Sequence, residues 1–485
     1  MHVHFVAVAG TGMGALAGLC RAAGHRVTGS DVAFYPPMGD ALRAWGIETL
    51  EGFSPDHLAP APDLVVIGNV CRPANVEARA AIDRGLRYVS MPGALAELFL
   101  RDRKSLVVAG THGKTTTSSL LAYLLHAVGA DPGFLVGGIP GDFPTSYRIG
   151  HVGGPFVIEG DEYDSAFFEK SPKMWQYLPS GAIVTSIEHD HIDIYPTLES
   201  YLAAFTGFVE RMPDGAALVV AADDPRVRAV VRDARRLRVI GYGVEGDDTA
   251  DLSPRWVASP RIEGTRRLFD LRRDGSLVGT ARTPLSGLHN VRNATAAIAL
   301  AHEACDVPID ALLGALEGFR GVRRRQELVA DVAGVSIYDD FAHHPTAVRE
   351  TVRALRERHP AGRLAAVFEP RSATASRRLH QDEYTHAFDD AHLTLLAPVG
   401  RPEIPAPERL DVEAIARELR SRGREASAPE SLDAIVAALV GWARPGDAIA
   451  LFSNGAFGGI HAKLRAALEA APPSASSDGR RSATP

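Results

Sequence analysis

A short apolar run, a glycine-bearing turn and a helix with apolar spacing follow one another over residues 4–24, and the same unit restarts at 104 and at 335. Parallel strands need a crossover long enough to hold a helix. A chain that keeps repeating this unit therefore folds as parallel sheets with helices on both faces. HFVAVAG, HRVTGSD, DLVVIGN and RYVSMP read as the first strands, and ALAGLCRAAG as a helix stopped at Gly24. A second series begins SLVVAGTHGKTTTSSLLAYLLHAVG and continues through FVIEG (156–160), GAIVTSI (181–187) and a helical TLESYLAAFTGFVERM. The third comprises VSIYDDFAHHP, RLAAVFEPR, AHLTLLAP and DAIALFSNG. The pattern predicts an α/β protein of three domains over 1–104, 105–320 and 321–471, with the first and third Rossmann-like. Residues 245–285 are charged and turn-rich with short β-like runs, and 472–485 read as a disordered tail.

Composition narrows the class. With 52 basic against 59 acidic residues the net charge is −7, which gives no general attraction to nucleic acid or anionic lipid. No apolar run approaches the ~20 residues of a membrane helix, and the N-terminus reads as strand and turn rather than a cleavable signal. Cys20, Cys71 and Cys305 are too widely spaced for a disulfide framework or a zinc site and are expected as buried small hydrophobes. A cytoplasmic protein is expected, with a monomer as the default. Lysine occurs at five positions, 104, 114, 170, 173 and 463, so arginine carries nearly all the positive charge.

One of those lysines stands in the most informative stretch, Gly110-Thr111-His112-Gly113-Lys114-Thr115-Thr116, after a strand and before a helix. Backbone N–H groups at a helix N-terminus, a cation for outer phosphate oxygens and a hydroxyl for Mg²⁺ are what a nucleotide triphosphate needs. Val108 occupies the first glycine position of G-x-x-x-x-G-K-[ST], so the match fails by one residue. The central domain is accordingly expected to be a P-loop-type ATPase domain, with Lys114 on the β/γ oxygens of ATP and Thr115 on magnesium. Near the N-terminus Gly10-Thr11-Gly12-Met13-Gly14-Ala15 fits G-x-G-x-x-G/A, with Ser30 and Asp31 about twenty residues on. A nicotinamide cofactor, another nucleotide diphosphate and a plain βα turn all fit that motif.

Two acidic segments should lie on the same sheet edge as the phosphate loop. Glu159 ends one strand beside Asp161, Glu162 and Asp164, and Glu188-His189-Asp190-His191 ends the next. Oxygen ligands with one imidazole suit Mg²⁺ or Mn²⁺ held with phosphates, with a zinc pair of Glu159 and His191 as the lesser option. The third series opens with Asp339-Asp340-Phe341-Ala342-His343-His344 after Arg323-Arg324-Arg325, groups able to touch ribose, phosphate or metal.

In this order, these residues resemble the Mur ligase family of peptidoglycan synthesis over nearly the whole chain. The resemblance implies ATP as substrate and Mg²⁺, with Gly110–Thr116 as the nucleotide loop, Lys114, Glu159 and His191 as catalytic residues, and Thr115, Glu159 and His191 at metal. It matches Gly287-Leu288-His289-Asn290-Val291-Arg292-Asn293 to a linker near adenine, which implicates His289, Asn290 and Asn293. Arg325, Asp340 and His343 match elements through which the third domain closes on ATP. Gly10, Thr11, Gly12, Met13, Gly14, Ser30, Asp31 and Asn69 are implied as UDP-sugar contacts, and Arg371 and Ser372 as contacts to peptide carboxylates. No lysine occurs between 174 and 462, so the carbamylated lysine of some members is absent, as in the muramate–alanine branch.

Segments 35–38, 137–143, 161–168, 368–372 and 453–461 resemble most closely those members that join UDP-N-acetylmuramate to the tripeptide L-Ala-γ-D-Glu-meso-diaminopimelate. Gly160 stands where the pattern has alanine, and Ser186 where it has asparagine. The competing expectations are an alanine-adding ligase, a nicotinamide oxidoreductase built on residues 10–15, and a nucleotide sensor without turnover.

Overall fold

The computed structural model describes residues 1–263, 266–401 and 403–470, so the expected disordered tail over 472–485 lies outside the described residues. Three sheets dominate. The first is five-stranded and wholly parallel, in the order Glu48–Glu51, Arg26–Asp31, His2–Val6, Leu64–Ile67, Tyr88–Ser90. The strand order reverses direction beside His2–Val6, and that is where an open α/β sheet leaves a crevice at its carboxyl edge. The edge strand Glu48–Glu51 was not among the expected strands, because ETLE has neither an apolar run nor a β-branched cluster.

The second sheet has ten strands, in which Gly181–Val184, Lys104–Ala109 and Pro155–Gly160 are adjacent and parallel. Residues Ser105–Ala109 are completely buried, as expected where helices cover both faces of a parallel sheet. The expected strand over 181–187 ends at Val184, and residues 185–191 form a loop instead. The charged stretch 245–285 turns out to hold three antiparallel strands, Trp256–Glu263, Arg266–Arg273 and Ser276–Arg282. Among the described residues their buried apolar positions are Trp256, Ala258, Phe269, Leu271 and Ala281, too thin a pattern to stand out among so many arginines.

The third sheet runs Glu327–Val332, Val335–Asp340, Ala448–Phe452, Leu364–Phe368, Leu393–Leu396, Glu425–Ser427, parallel apart from its first strand. Packing divides the chain into two compact units, Met1–Arg323 and the chain from Arg324 on. In the first unit the N-terminal and central sheets share one core. Tyr147 lies so close to Gly18 that a Cβ there would sit 2.6 Å from its ring, and Trp45 meets the same ring edge-on at 5.1 Å. The three thiols are unpaired, and burial pushes that of Cys20 up to about 12. Among the described residues no helix is long and apolar enough to cross a membrane.

Candidate active site

The phosphate-loop residues leave the strand Lys104–Ala109 and enter the helix Lys114–Ala127 through two glycines with positive φ, Gly110 at +130° and Gly113 at +80°. Both approaches are close: a Cβ on Gly110 would stand 2.1 Å from Thr185 Oγ1, and one on Gly113 2.7 Å from Asn293 Oδ1. Only glycine meets both the dihedral and the spatial requirement. The loop is braced from the neighbouring strand end. Thr111 N–H donates to the Ser186 carbonyl at 2.9 Å, and His112 N–H to Ser186 Oγ at 3.1 Å. The serine that replaces asparagine thus still holds the loop. Glu188 N–H donates to Thr111 Oγ1 at 2.9 Å, and His112 Nε2 lies 3.0 Å from Glu188. Thr115 and Thr116 are buried in the first helical turn.

Lys114 donates to the Gly110 carbonyl at 2.7 Å and to Glu162 Oε2 at 2.9 Å. Glu162, which sequence reading places only among the neighbours of Glu159, is the centre of the cluster. It is 1% exposed, accepts from Tyr201 Oη at 3.2 Å and lies 3.1 Å from His191 Nε2. Burial opposes its ionisation, but the Lys114 charge and the His191 hydrogen bond outweigh it and hold the carboxyl well below its usual range. For His191 burial again works against charge, while the hydrogen bond and charge of Glu162 raise the imidazole to about 9. His191 has φ +50°, a strained conformation for a residue with a Cβ, and its N–H is anchored on Asp190 Oδ1 at 2.7 Å.

Of the three residues expected at metal, two meet. Thr115 Oγ1 donates to Glu159 Oε2 at 3.1 Å, and Gly137 N–H donates to Glu159 Oε1 at 2.6 Å. The third, His191, points its Nε2 at Glu162 Oε1, 3.1 Å away. The helix Leu288–Cys305 presents the linker residues, with Asn293 Nδ2 donating to Asn290 Oδ1 at 3.1 Å and Asn293 reaching Gly113. Burial and the nearby Arg292 charge lower His289 to about 4.

In the N-terminal sheet Asp31 accepts from Ala9 N–H and Val32 N–H, both at 2.8 Å, and so ties the glycine turn to the neighbouring strand end. Gly10, Thr11 and Asn69 are exposed at that edge, Gly12 is half-buried, and Met13 is buried. A Cβ on Gly14 would meet Met38 Sδ at 2.3 Å. Ser30 is fully buried within the sheet, and its carbonyl accepts from Ala7 N–H and Val8 N–H.

In the second unit Asp340 is buried and accepts from Gln326 N–H at 2.7 Å and Ala342 N–H at 2.8 Å. The Arg325 guanidinium lies 4.7 Å from the centre of the Phe341 ring, and His343 Nδ1 is 3.1 Å from the Phe341 carbonyl. Arg371 is half-exposed with Glu369 3.8 Å away, whereas Ser372 Oγ accepts from Ala375 N–H at 3.0 Å and caps its own turn.

The comparisons with known proteins agree with this geometry. Residues 2–103 match the Mur ligase family catalytic domain, 108–301 the Mur ligase middle domain, and 324–455 the Mur ligase glutamate ligase domain. The chain is 37% identical to the UDP-N-acetylmuramate–L-alanyl-γ-D-glutamyl-meso-2,6-diaminoheptandioate ligase of Escherichia coli (strain K12), over 96% of this chain and 97% of that protein. It is 36% identical to a UDP-N-acetylmuramate–L-alanine ligase of Roseiflexus, over 94% of this chain and 96% of that protein. The crystal structure of a murein peptide ligase from Psychrobacter arcticus superposes with a TM-score of 0.71 at 35% identity, covering 97% of this chain and 99% of that one. With domain matches across its length and full-length relatives above 30% identity, the chain belongs to the Mur ligase family.

Proposed function

We propose that the protein is an ATP-dependent ligase that joins UDP-N-acetylmuramate to L-Ala-γ-D-Glu-meso-diaminopimelate in cytoplasmic peptidoglycan recycling. The observation that carries the acceptor is the 37% full-length identity to a ligase of that specificity. What supports ATP chemistry is the glycine loop with Lys114 at a helix N-terminus beside the Thr115–Glu159 pair. The lactyl carboxylate attacks the γ-phosphorus, giving an acyl phosphate and ADP. The amino group of the peptide then attacks that carbonyl carbon, the C–N bond forms with loss of a proton from nitrogen, and the C–O bond breaks so that phosphate leaves carrying the former carboxylate oxygen.

Both reacting groups in the first step are anionic, so positive charge near the transferred phosphoryl governs the barrier. In this reading Lys114 meets the outer phosphate oxygens and the loop N–H groups meet the inner ones. His191 stands beside Lys114 and is assigned, with Thr115 and Glu159, to the metal. Thr115 and Glu159 offer hard oxygen donors and suit Mg²⁺, which would screen phosphate charge when bound. His289, Asn290, Asn293, Arg325, Asp340 and His343 are assigned to the nucleotide, and the edge formed by Gly10–Gly14, Asp31 and Asn69 to the UDP group. Arg371, with Ser372 beside it, is assigned to the peptide carboxylates. These assignments go with domains over 1–104, 105–320 and 321–471.

The likeness to the Roseiflexus enzyme supports a second reading, in which L-alanine is the acceptor. Phosphate release with ATP, Mg²⁺ and UDP-N-acetylmuramate separates the two. Turnover with the tripeptide and not with L-alanine is expected, and the reverse would overturn the assignment.

A further inference from the structure

The loop over 185–191 is joined to the phosphate loop by the residues on either side of Ile187. Ser186 gives its carbonyl to Thr111 N–H at 2.9 Å and its Oγ to His112 N–H at 3.1 Å, and Glu188 N–H donates to Thr111 Oγ1 at 2.9 Å. Ile187 turns its backbone elsewhere. Its side chain is completely buried, its N–H donates to Asp224 Oδ2 at 2.8 Å, and its carbonyl accepts from Arg226 Nη1 at 3.3 Å. Both partners stand where the strand Ala217–Ala221 passes into the helix Pro225–Val231.

The other oxygen of Asp224 has a separate task. Oδ1 accepts from Arg226 N–H at 2.8 Å and Val227 N–H at 3.1 Å, and so caps that helix. One carboxylate thus fixes a helix start with one oxygen and a distant loop with the other. A cap alone needs a single oxygen, which serine or asparagine supplies equally well. The second contact spans 37 positions and ends in the middle of the loop that braces Thr111 and His112. The residue before it is anchored as well: Asp223 Oδ2 lies 3.2 Å from Arg292 Nε, in the helix whose Asn293 meets Gly113. Two adjacent aspartates are therefore tied to two elements that touch residues 111–113.

We propose that Asp224 is a positioning residue for phosphoryl transfer, acting through loop 185–191 rather than on the nucleotide. Its Oδ2 sets where that loop stands, and hence how the phosphate loop and His191, at the end of the same loop, face ATP. The proposal rests on the reading of residues 110–116 as the ATP phosphate site. A side chain that cannot accept from Ile187 leaves a buried N–H unpaired, and the loop must move to satisfy it. Misplacement by about 1 Å near a reacting centre costs on the order of a hundredfold in rate.

The test compares wild type, Asp224→Ser and Asp224→Asn by thermal melting, by calorimetric affinity for ATP and for UDP-N-acetylmuramate, and by phosphate release with the tripeptide. Serine keeps an oxygen for the cap and has none for Ile187. Asparagine keeps the shape, but with its oxygen on the two cap donors its amide nitrogen meets Ile187 N–H donor to donor. Both variants are expected to melt within about 3 °C of wild type, because the cap survives. ATP should bind at least fivefold more weakly and kcat should fall at least tenfold, with affinity and KM for UDP-N-acetylmuramate within twofold. Unchanged ATP affinity and kcat in Asp224→Ser would overturn the proposal. So would losses accompanied by a larger drop in melting temperature or by weaker sugar binding, which are what a purely structural role produces. If Asp224→Ser does not fold, Asp224→Asn carries the comparison, and failure of both to fold would reassign Asp224 to stability and overturn the proposal. Failure of the wild type to bind ATP would sink the functional reading instead.

Discussion

Glu162→Gln is the perturbation that most directly probes how the phosphate site is held before substrate arrives. The substitution keeps shape and an acceptor for Tyr201 Oη, 3.2 Å away, but removes the charge that faces Lys114 at 2.9 Å and His191 at 3.1 Å. Lys114 is left nearly buried with the Gly110 carbonyl as its remaining partner at 2.7 Å. Removing one member of a buried pair costs about 3–5 kcal/mol, because the surviving charge is desolvated without compensation. Two cations share this glutamate, so the upper half of that range is expected. Nucleotide phosphates would restore the lost counter-charge. ATP should therefore bind Glu162→Gln more tightly than wild type, and saturating ATP, worth about 2.7 kcal/mol at a hundred times Kd, should recover much of the lost stability. Turnover should fall, since Lys114 and His191 lose the group that aims them. Urea unfolding with and without ATP, calorimetric ATP affinity and a phosphate-release assay read all three. A stability loss below about 1 kcal/mol, or ATP affinity reduced rather than raised, would refute the view of Glu162 as the resting counter-ion.

Three further outcomes follow from the same geometry. Lys114→Ala should abolish phosphate release while UDP-sugar affinity stays within twofold, as measured by coupled phosphate assay and calorimetry. Near-normal turnover would show that the ATP site is misplaced. Gly113→Ala must accept φ +80° and a Cβ 2.7 Å from Asn293 Oδ1, so ATP affinity should fall more than tenfold and the UDP-sugar titration should not change. His289, lowered by burial and Arg292 from 6.5 to about 4, takes up its proton more readily unfolded than folded. Its contribution is complete above pH 6.5 and drains away toward pH 4, at most about 3 kcal/mol, so His289→Gln should flatten the stability profile across that window.

What could be read from sequence follows the range of the interactions. The phosphate loop was legible because its function needs a contiguous run: glycines, lysine and threonine from 110 to 116 act through adjacent backbone groups. Glu159 was legible from its place at a strand end. Glu162 was not, because its importance comes from Lys114, 48 positions away, from His191 and from Tyr201, which looks like any aromatic on an amphipathic helix. Ser30 illustrates the opposite case. Proximity to Asp31 in the chain suggested a ligand contact, but neighbours in a strand point to opposite faces, and Ser30 points inward. Gly160 now has a reason: a Cβ there would lie 2.8 Å from Val107 Cγ1 and 3.1 Å from Ala109 Cβ, stiff neighbours on the central strand. The alanine expected at that position would overpack this particular sheet.

The same topological rule operates three times in this chain and explains where the strand-end groups stand. In each sheet the strands are parallel where the chemistry is, so their carboxyl ends share an edge with helix N-termini, and backbone N–H groups there lack partners of their own. The first sheet puts Gly10, Asp31 and Asn69 on that edge, and the second puts the phosphate loop, Glu159 and residues 185–191 on its own. In the third, Arg324 ties the edge together by donating to Asp339 at 3.1 Å and to the carbonyls of Ser453 and Gly455 at 2.7 and 2.8 Å. That rivet fixes Gly455 beneath Arg371, so close that a Cβ would lie 2.6 Å from Arg371 Nε. Any larger residue at 455 would have to push the Arg371 side chain aside. The guanidinium keeps half its surface open and has its nearest carboxylate, Glu369, at 3.8 Å, beyond hydrogen-bond range. An arginine packed against Gly455 whose ion pair with Glu369 is this long can bind a substrate carboxylate without first breaking a close contact, which is the property a peptide-carboxylate site requires.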